Sequence, residues 1–390
     1  MPGPNGSPRL DIALLSPCFW PEVRRGTERF VRDLADGLIA NGHGPSLITS
    51  HRGPPSRRVE HGLKVLRLPR PPHRRLDRRR YPPHITHAPG SYLALRHGSY
   101  DIAHAVYPVD ALAAARWRRQ TGHPAVLSYM GIPDRRGLVE FRRYLDIFLR
   151  AIEGCDAVVV LSDHAAEACR NWLGHQPRVI PPGIELEVFR PSEARAARPT
   201  IVCGAAPEVP RKNISLLVEA FALVRRELPD ARLVLSRPRD FGAVRKAGIG
   251  PQASGVEWAV LDDSHALARA YSEAWVAVLP SVNEAFGLVL VEALACGTPV
   301  VGYADGGIPE VVDRPGIGLL FDNLSADALA SAILEAMELC HQPDTVTRCR
   351  ARAEEFSLER CTAAYLGLYG ELLGVPGVRE TAREVPAVGL

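Results

Sequence analysis

An alternation of short apolar runs with helix-length segments constrains this chain most, and the alternation begins twice. Residues 10–16 are an apolar run closed by Pro17, and after a loop containing Gly26 an amphipathic stretch covers residues 28–39. Apolar runs at residues 46–49, 64–68, 125–129 and 157–161 continue the pattern. Runs of this length, bounded by turn residues and spaced by helical stretches, predict a parallel sheet covered by helices. Residues 181–199 then carry four prolines, and a second series follows: residues 200–203, a helix over 214–227, runs at 232–236, 255–258 and 276–279, a helix over 288–295, and a run at 299–302. The proline-rich stretch reads as a linker between two Rossmann-like domains.

A length of 390 residues suits two domains at roughly 100 to 200 residues each. With 46% apolar and 23% charged residues the composition is that of an ordinary globular chain. The first residues lack the apolar core of a signal peptide, and no run approaches the roughly 18 apolar residues that span a bilayer, so a cytoplasmic protein is expected. Eight cysteines without a C-x-x-C pair or a spaced histidine suggest buried thiols. No local Asp, Glu and His cluster has ligand spacing, and no metal is expected. The net charge of +3 hides an asymmetry: residues 1–190 hold 28 Lys or Arg against 18 Asp or Glu, or +10, and the remainder is −7. Much of the excess is Arg67, Arg70, Arg74, Arg75, Arg78, Arg79 and Arg80, interleaved with prolines and histidines that argue against a regular helix. Two readings of this basic loop stay open: a solvated surface, or a contact for an anionic acceptor or a membrane.

Residues 279–312, LPSVNEAFGLVLVEALACGTPVVGYADGGIPEVV, are the most informative. A strand ends near Pro280, a loop carries Glu284 and Gly287, and a helix begins near Leu288 with Glu292 inside it. In open parallel sheets, ligands sit beyond the carboxyl ends of strands, and a helix N-terminus there offers N–H groups to an anion. A diphosphate suits that place. Helical geometry over eight residues separates Glu284 from Glu292 by about 12 Å, enough for one carboxylate on each side of the phosphates, gripping sugar and ribose hydroxyls. On spacing alone the two glutamates read equally well as surface residues flanking a helix start.

The segment resembles the E-x7-E signature of family 4 glycosyltransferases, with Glu284 and Glu292 as its glutamates, the family's ACGTPVV at residues 295–301 and its GGIPE at 306–310. Weaker likeness runs over residues 9–372, through VIPPGIELEVF at 179–189 and RKNISLLVEAF at 211–221. The resemblance implies an α/β protein of GT-B fold, two facing Rossmann-like domains with a cleft between them: an acceptor-side domain at residues 1–185, a linker at 186–199, a donor domain at 200–355, and a C-terminal helix and tail at 356–390 packing back on the first domain. It implies retaining transfer of a sugar from a UDP-, GDP- or ADP-sugar to a hydroxyl, no nucleic-acid partner, no cofactor and no obligatory metal. Glu284 would contact the transferred sugar, with the N–H groups of Phe286, Gly287 and Leu288 nearby. Glu292 would hold ribose, Lys212 and Arg211 the leaving diphosphate, and Gly26 would let the backbone approach donor phosphate. Only Lys64, Lys212 and Lys246 are lysines among 47 basic residues, which sets Lys212 apart.

The chain also departs from the family pattern. Arg24 and Arg25 precede Gly26 where paired glycines are usual, Ala205 follows Gly204 in place of an arginine, and Met130 stands where a histidine is frequent. Arg211 or Arg237 is available to supply the missing cation. His104 matches another recurrent histidine of the first domain and is as readily structural as functional. The alternative functions are a catalytically weak nucleotide-sugar-binding protein and a sugar-nucleotide epimerase, and an epimerase would act on its donor without an acceptor.

Overall fold

The computed structural model describes residues 8–23, 26–72, 74–191, 194–246 and 254–375, so Arg24 and Arg25 lie outside the described residues. The chain divides into two compact units. The first comprises Met1–Val160, Ala166–Gly183 and Leu358–Leu390, and the second Leu161–Ala165 and Ile184–Ser357. The strands of the first unit are β1 (Asp11–Leu15), β2 (Gly44–His51), β3 (Ser56–Glu60), β4 (Leu63–Pro69), β5 (Ile102–Ala105), β6 (Ala125–Ser128), β7 (Ala157–Val160) and β8 (Arg178–Val179). Those of the second are β9 (Thr200–Cys203), β10 (Arg232–Ser236), β11 (Val256–Ala259), β12 (Val276–Leu279), β13 (Val300–Tyr303) and β14 (Gly318–Phe321).

The first sheet runs β3-β4-β2-β1-β5-β6-β7-β8 and is parallel except where β3 pairs antiparallel with β4. The second runs β11-β10-β9-β12-β13-β14, all parallel. Strands buried on both faces must be apolar throughout. β1 shows this: Ile12 and Leu14 join the core with Phe30, Leu34 and Leu38 of the helix Gly26–Ala40, whereas Ala13 and Leu15 join the opposite core with Ala113, Ala114 and Trp117 of Pro108–Thr121.

The helix Leu358–Leu373 belongs to the first unit, where Cys361, Tyr365, Leu366, Leu368 and Tyr369 complete the core on the Ile12 side. This apolar contact carries a buried polar chain. Nδ1 of His104 lies 2.7 Å from the Tyr369 hydroxyl, Nε2 lies 2.7 Å from the Ser128 hydroxyl, and that hydroxyl lies 2.9 Å from the Tyr365 hydroxyl. His104 is thus a structural residue on β5 with both ring nitrogens satisfied inside the core. Burial pushes its pKa down to about 3, so the ring stays neutral. Met130 packs against the edge of the same core.

The basic stretch is more ordered than its composition suggests. Arg74–Arg78 is a short helix, because Pro71, Pro72, Pro82 and Pro83 bracket the arginines and leave them uninterrupted. Two members of the stretch serve the fold. Arg67, on β4, donates to both carboxylate oxygens of Glu60 at 2.5 and 2.9 Å and to the Trp20 carbonyl at 3.0 Å. Arg70 donates to the Ser50 carbonyl at 2.6 Å and pairs with Glu22 at 3.0 Å. All eight cysteines are free thiols, six of them buried. Among the described residues no helix is long and apolar enough to cross a membrane.

His104 yields a pH test. Between pH 6.5 and about 3 the unfolded chain protonates this imidazole and the folded chain does not, so the unfolded state binds more protons and stability falls as pH falls. The loss attributable to His104 is about 1.4 kcal/mol per pH unit in that window. Denaturant unfolding of wild type and His104→Gln at pH 6 and pH 4.5 is expected to show the steeper loss in wild type. Parallel losses would mean that the ring takes up its proton in the folded state.

Candidate active site

Strand order fixes where a site can form in the second unit. From β9 the sheet grows one way through β10 and the other way through β12, so the segments leaving β9 and β12 diverge at the switch point, where open α/β sheets bind ligands. The segment after β9 ends in a 3-10 turn, Pro210–Lys212, and leads into the helix Ile214–Glu227. The segment after β12 carries Glu284 and leads into the helix Leu288–Ala295.

Two hydrogen bonds zip these segments together. The Val282 N–H donates to the Arg211 carbonyl at 2.9 Å, and the Asn213 amide donates to the Pro280 carbonyl at 3.0 Å. The charged side chains then meet. Lys212 Nζ donates to Glu284 Oε2 at 2.5 Å, and an Arg211 guanidinium nitrogen donates to the same oxygen at 2.8 Å. The Lys212 and Glu284 side chains are 14% and 11% exposed, which excludes a pair of solvated surface charges, whereas Arg211 is 44% exposed. Burial alone would raise the Glu284 pKa, but Lys212 and Arg211 override it and hold the carboxyl below its ordinary range. Burial likewise lowers the Lys212 pKa, against the opposing pull of Glu284. Two cations facing one carboxylate leave a net positive site.

A third segment holds Glu284 from behind. After β13, Asp305 accepts the Asn283 N–H at 2.5 Å, and the Gly307 N–H donates to the Glu284 carbonyl at 2.8 Å. Gly306 has φ +64°, and a Cβ there would run into the Glu284 carbonyl oxygen. A Cβ on Gly307 would come within 2.6 Å of the Ala285 carbonyl and 2.9 Å of Phe286 Cα. The paired glycines are therefore the surface on which the backbone of residues 284–286 lies. Asn213 and Asn283, each next to a charged site residue, both have φ +50°, a left-handed conformation that asparagine tolerates better than most residues.

Phe286 is buried edge-to-face on Phe356 at 5.1 Å. Gly287, at φ +104°, turns the chain into the helix Leu288–Ala295, whose start has no side-chain cap. An uncapped helix start with its positive dipole end suits an anion. Glu292 lies in the second turn of that helix and is only 1% exposed. Since the helix begins at Leu288, only the later half of the interval from Glu284 to Glu292 is helical, so the 12 Å helical spacing does not describe it. Ala205 is buried; Arg211 is the second cation at Glu284, and Arg237 is exposed just beyond β10. Among the described residues no three His, Cys, Asp or Glu side chains gather in a way that would hold a metal ion. In the first unit Gly26 opens the helix Gly26–Ala40, and a Cβ on it would meet nothing within 4 Å.

Two family models match the chain consecutively: Glycosyltransferase Family 4 over residues 24–188 and Glycosyl transferases group 1 over residues 187–356. The chain is a family 4 glycosyltransferase. The D-inositol 3-phosphate glycosyltransferase of Mycobacterium tuberculosis is 31% identical to this glycosyltransferase over 360 residues, covering 84% of the chain and 74% of the relative. Sucrose-phosphate synthase from Thermosynechococcus elongatus superposes with a TM-score of 0.78 at 25% identity, covering 94% of this chain and all of that one. Anabaena HepE, solved with UDP-glucose, gives a TM-score of 0.71 at 18% identity, with coverage of 94% and 100%, a likeness of fold alone. The two parallel-sheet units are those of the GT-B fold.

The clamp by Asp305 was not legible in the motif, and it makes a prediction. Asp305→Ala removes the acceptor for the Asn283 N–H, a charge-assisted bond worth about 1.5 to 3 kcal/mol, and lets the Glu284 segment drift. Turnover of the glycosyltransferase is expected to fall about tenfold or more, with the fold kept and with rescue by Asp305→Asn, whose amide oxygen still accepts. Equal turnover in the alanine variant and wild type would show that the clamp does not position Glu284.

Proposed function

We propose that this glycosyltransferase takes a sugar from a nucleoside diphosphate donor and passes it, with retention of anomeric configuration, to a hydroxyl of its acceptor. The observation that carries the reading is the Glu284 carboxylate shared by Lys212 and Arg211 at the switch point of the second sheet. An incoming diphosphate offers these cations a stronger anionic partner and releases Glu284 to accept hydrogen bonds from sugar hydroxyls. The uncapped start of Leu288–Ala295, with the N–H groups of Phe286, Gly287 and Leu288, adds donors for the phosphates and sugar. Glu292 is assigned to the ribose hydroxyls and Gly26 to close approach by donor phosphate. Residues 200–355 hold the donor, residues 1–185 face the acceptor, and residues 186–199 join them.

In the transfer step the bond from the anomeric carbon to the diphosphate oxygen breaks, and its electron pair stays on that oxygen. The acceptor hydroxyl oxygen bonds to the same carbon. Retention brings the acceptor to the face the diphosphate leaves, so the departing oxygen is placed to take the hydroxyl proton. Negative charge grows on that oxygen as the bond breaks, and preorganised cations in a water-poor site lower the barrier most. UDP, GDP and ADP are the candidate nucleotides. HepE holds UDP or UDP-glucose, and starch synthase IV from Arabidopsis thaliana holds ADP. The relative named for D-inositol 3-phosphate supports an anionic, hydroxyl-bearing acceptor for a chain whose first half carries +10.

A thermal-shift screen with UDP, GDP and ADP identifies the base, because a ligand that binds only the folded state raises its stability. With that nucleotide in hand, Glu284→Gln is expected to cut turnover at least 100-fold while leaving nucleoside diphosphate affinity equal or tighter, since a carboxylate that competes for both cations is gone. Lys212→Ala is expected to lower turnover by a factor on the order of 100. Weaker nucleotide binding by the Glu284 variant would remove the residue from the sugar side of the site. Proton NMR of the fresh product reads the anomeric configuration, and inversion would refute retention.

A further inference from the structure

Sequence spacing shows one arginine cluster in the first unit; the fold shows two, joined. Arg74, Arg75, Arg78, Arg79 and Arg80 follow β4, whereas Arg135, Arg136, Arg142 and Arg143 follow β6, some sixty residues later. Both segments leave the carboxyl edge of the same parallel sheet. The Arg142 N–H donates to the Arg80 carbonyl at 2.6 Å, and the Arg142 guanidinium stands 5.5 Å over the Tyr81 ring. Arg80 and Arg143 both adopt positive φ, +55° and +62°, a cost that non-glycine residues bear where surrounding structure imposes it.

All nine arginines are exposed, and among the described residues none of their guanidinium groups makes a hydrogen bond or ion pair with the protein. Elsewhere the chain spends arginine freely on partners: Arg32, Arg67, Arg70, Arg118, Arg232 and Arg352 are all paired with carboxylates. Asp77 and Glu140 are the exposed acids within the two arms, and Asp134 is occupied as the cap of Arg135–Glu140. Apolar side chains stand among the charges. Val139 is 67% and Leu145 36% exposed, beside Leu138, which is buried and anchors the segment.

We propose that this two-armed surface docks the first unit on an anionic bilayer, with the guanidinium groups at the headgroups and Val139 and Leu145 entering the boundary beneath them. Resting on the glycosyl-transfer reading, it brings the acceptor side of the enzyme to hydroxyls borne by the membrane. Each basic residue held at such a surface contributes about 1 kcal/mol, so several together bind firmly. Exposed apolar groups between the cations suit a bilayer, whereas the rings that a nucleic acid's bases would stack on are only half exposed here and already engaged, Tyr81 under Arg142 and Phe141 edge-on to Tyr144.

Full-length protein is mixed with neutral phosphatidylcholine vesicles and with vesicles containing 30% phosphatidylglycerol, on the order of headgroup densities that give a negative surface potential, and sedimented. Wild type is expected to partition at least tenfold more strongly to the anionic vesicles and to lose that advantage in high salt. The variant Arg78→Gln/Arg79→Gln/Arg142→Gln/Arg143→Gln should lose at least tenfold, and Val139→Asp should weaken binding with the salt dependence kept. Nucleoside diphosphate affinity is expected to stay at the wild-type value in both, so vesicle loss is read separately from the transfer chemistry. Equal partition to neutral and anionic vesicles, wild-type binding by the four-arginine variant, displacement by inorganic phosphate at constant ionic strength, or tighter binding of single-stranded RNA would each overturn the proposal.

Discussion

One carboxylate oxygen, Oε2 of Glu284, receives both Lys212 and Arg211, and the rest of the second unit is arranged to keep it there. A buried ion pair is a costly device, since removing two charges from water is repaid only by good geometry and further hydrogen bonds. Here the geometry comes from backbone. The switch point brings the two segments side by side, Val282 and Asn213 zip them, and the glycine pair at 306 and 307 lets a third segment lie flat behind Glu284. The result is a cluster of two cations on one carboxylate, with Lys212 and Glu284 largely buried and Arg211 reaching toward solvent.

Most of the parallel strands were legible because they are apolar on both faces and the helices between them announce their ends, whereas the charged, exposed β3, the two-residue β8 and β14 were not. Leu288–Ala295 and Ile214–Glu227 fall where the apolar period and Gly287 place them. Glu284 was legible as a charged residue in the loop after a strand, where such a sheet binds ligands, and Lys212 through its match to the family pattern and the scarcity of lysine in the chain. Other features depend on contacts between segments far apart in sequence. Nothing near Asp305 signals that its carboxylate holds the Asn283 N–H, although asparagines directly beside Lys212 and Glu284 hint at left-handed turns. The burial of Glu292 and the roles of Arg67 and Arg70 inside the fold needed coordinates.

The first unit divides its polar groups between interior and surface in the same way. His104, Ser128, Tyr365 and Tyr369 satisfy one another inside a core closed by the C-terminal helix, a network that rigidifies because every member has a partner. The arginines are sorted too. Those at the β3–β4 hairpin and beyond β4 meet Glu60, Glu22 and carbonyls, whereas among the described residues the guanidinium groups of the two outer arms make no hydrogen bond or ion pair, and Arg142 alone lies over a ring, that of Tyr81. Composition alone treats all of them as one basic excess, and the fold separates structural cations from free ones.

Glu284 and Lys212 act as one charged unit, not as two independent site residues. A double-mutant cycle of Lys212→Ala and Glu284→Gln, read by denaturant unfolding of the ligand-free protein, measures that coupling directly. Non-additive losses are expected: Glu284→Gln leaves the buried Lys212 without its carboxylate, Lys212→Ala leaves Glu284 to the half-exposed Arg211 alone, and the double change removes the pair, so the coupling energy should be about 1 kcal/mol or more. Losses that add to within about 0.3 kcal/mol would mean that the two residues do not sense each other, and the shared carboxylate would cease to be the organising feature of the site.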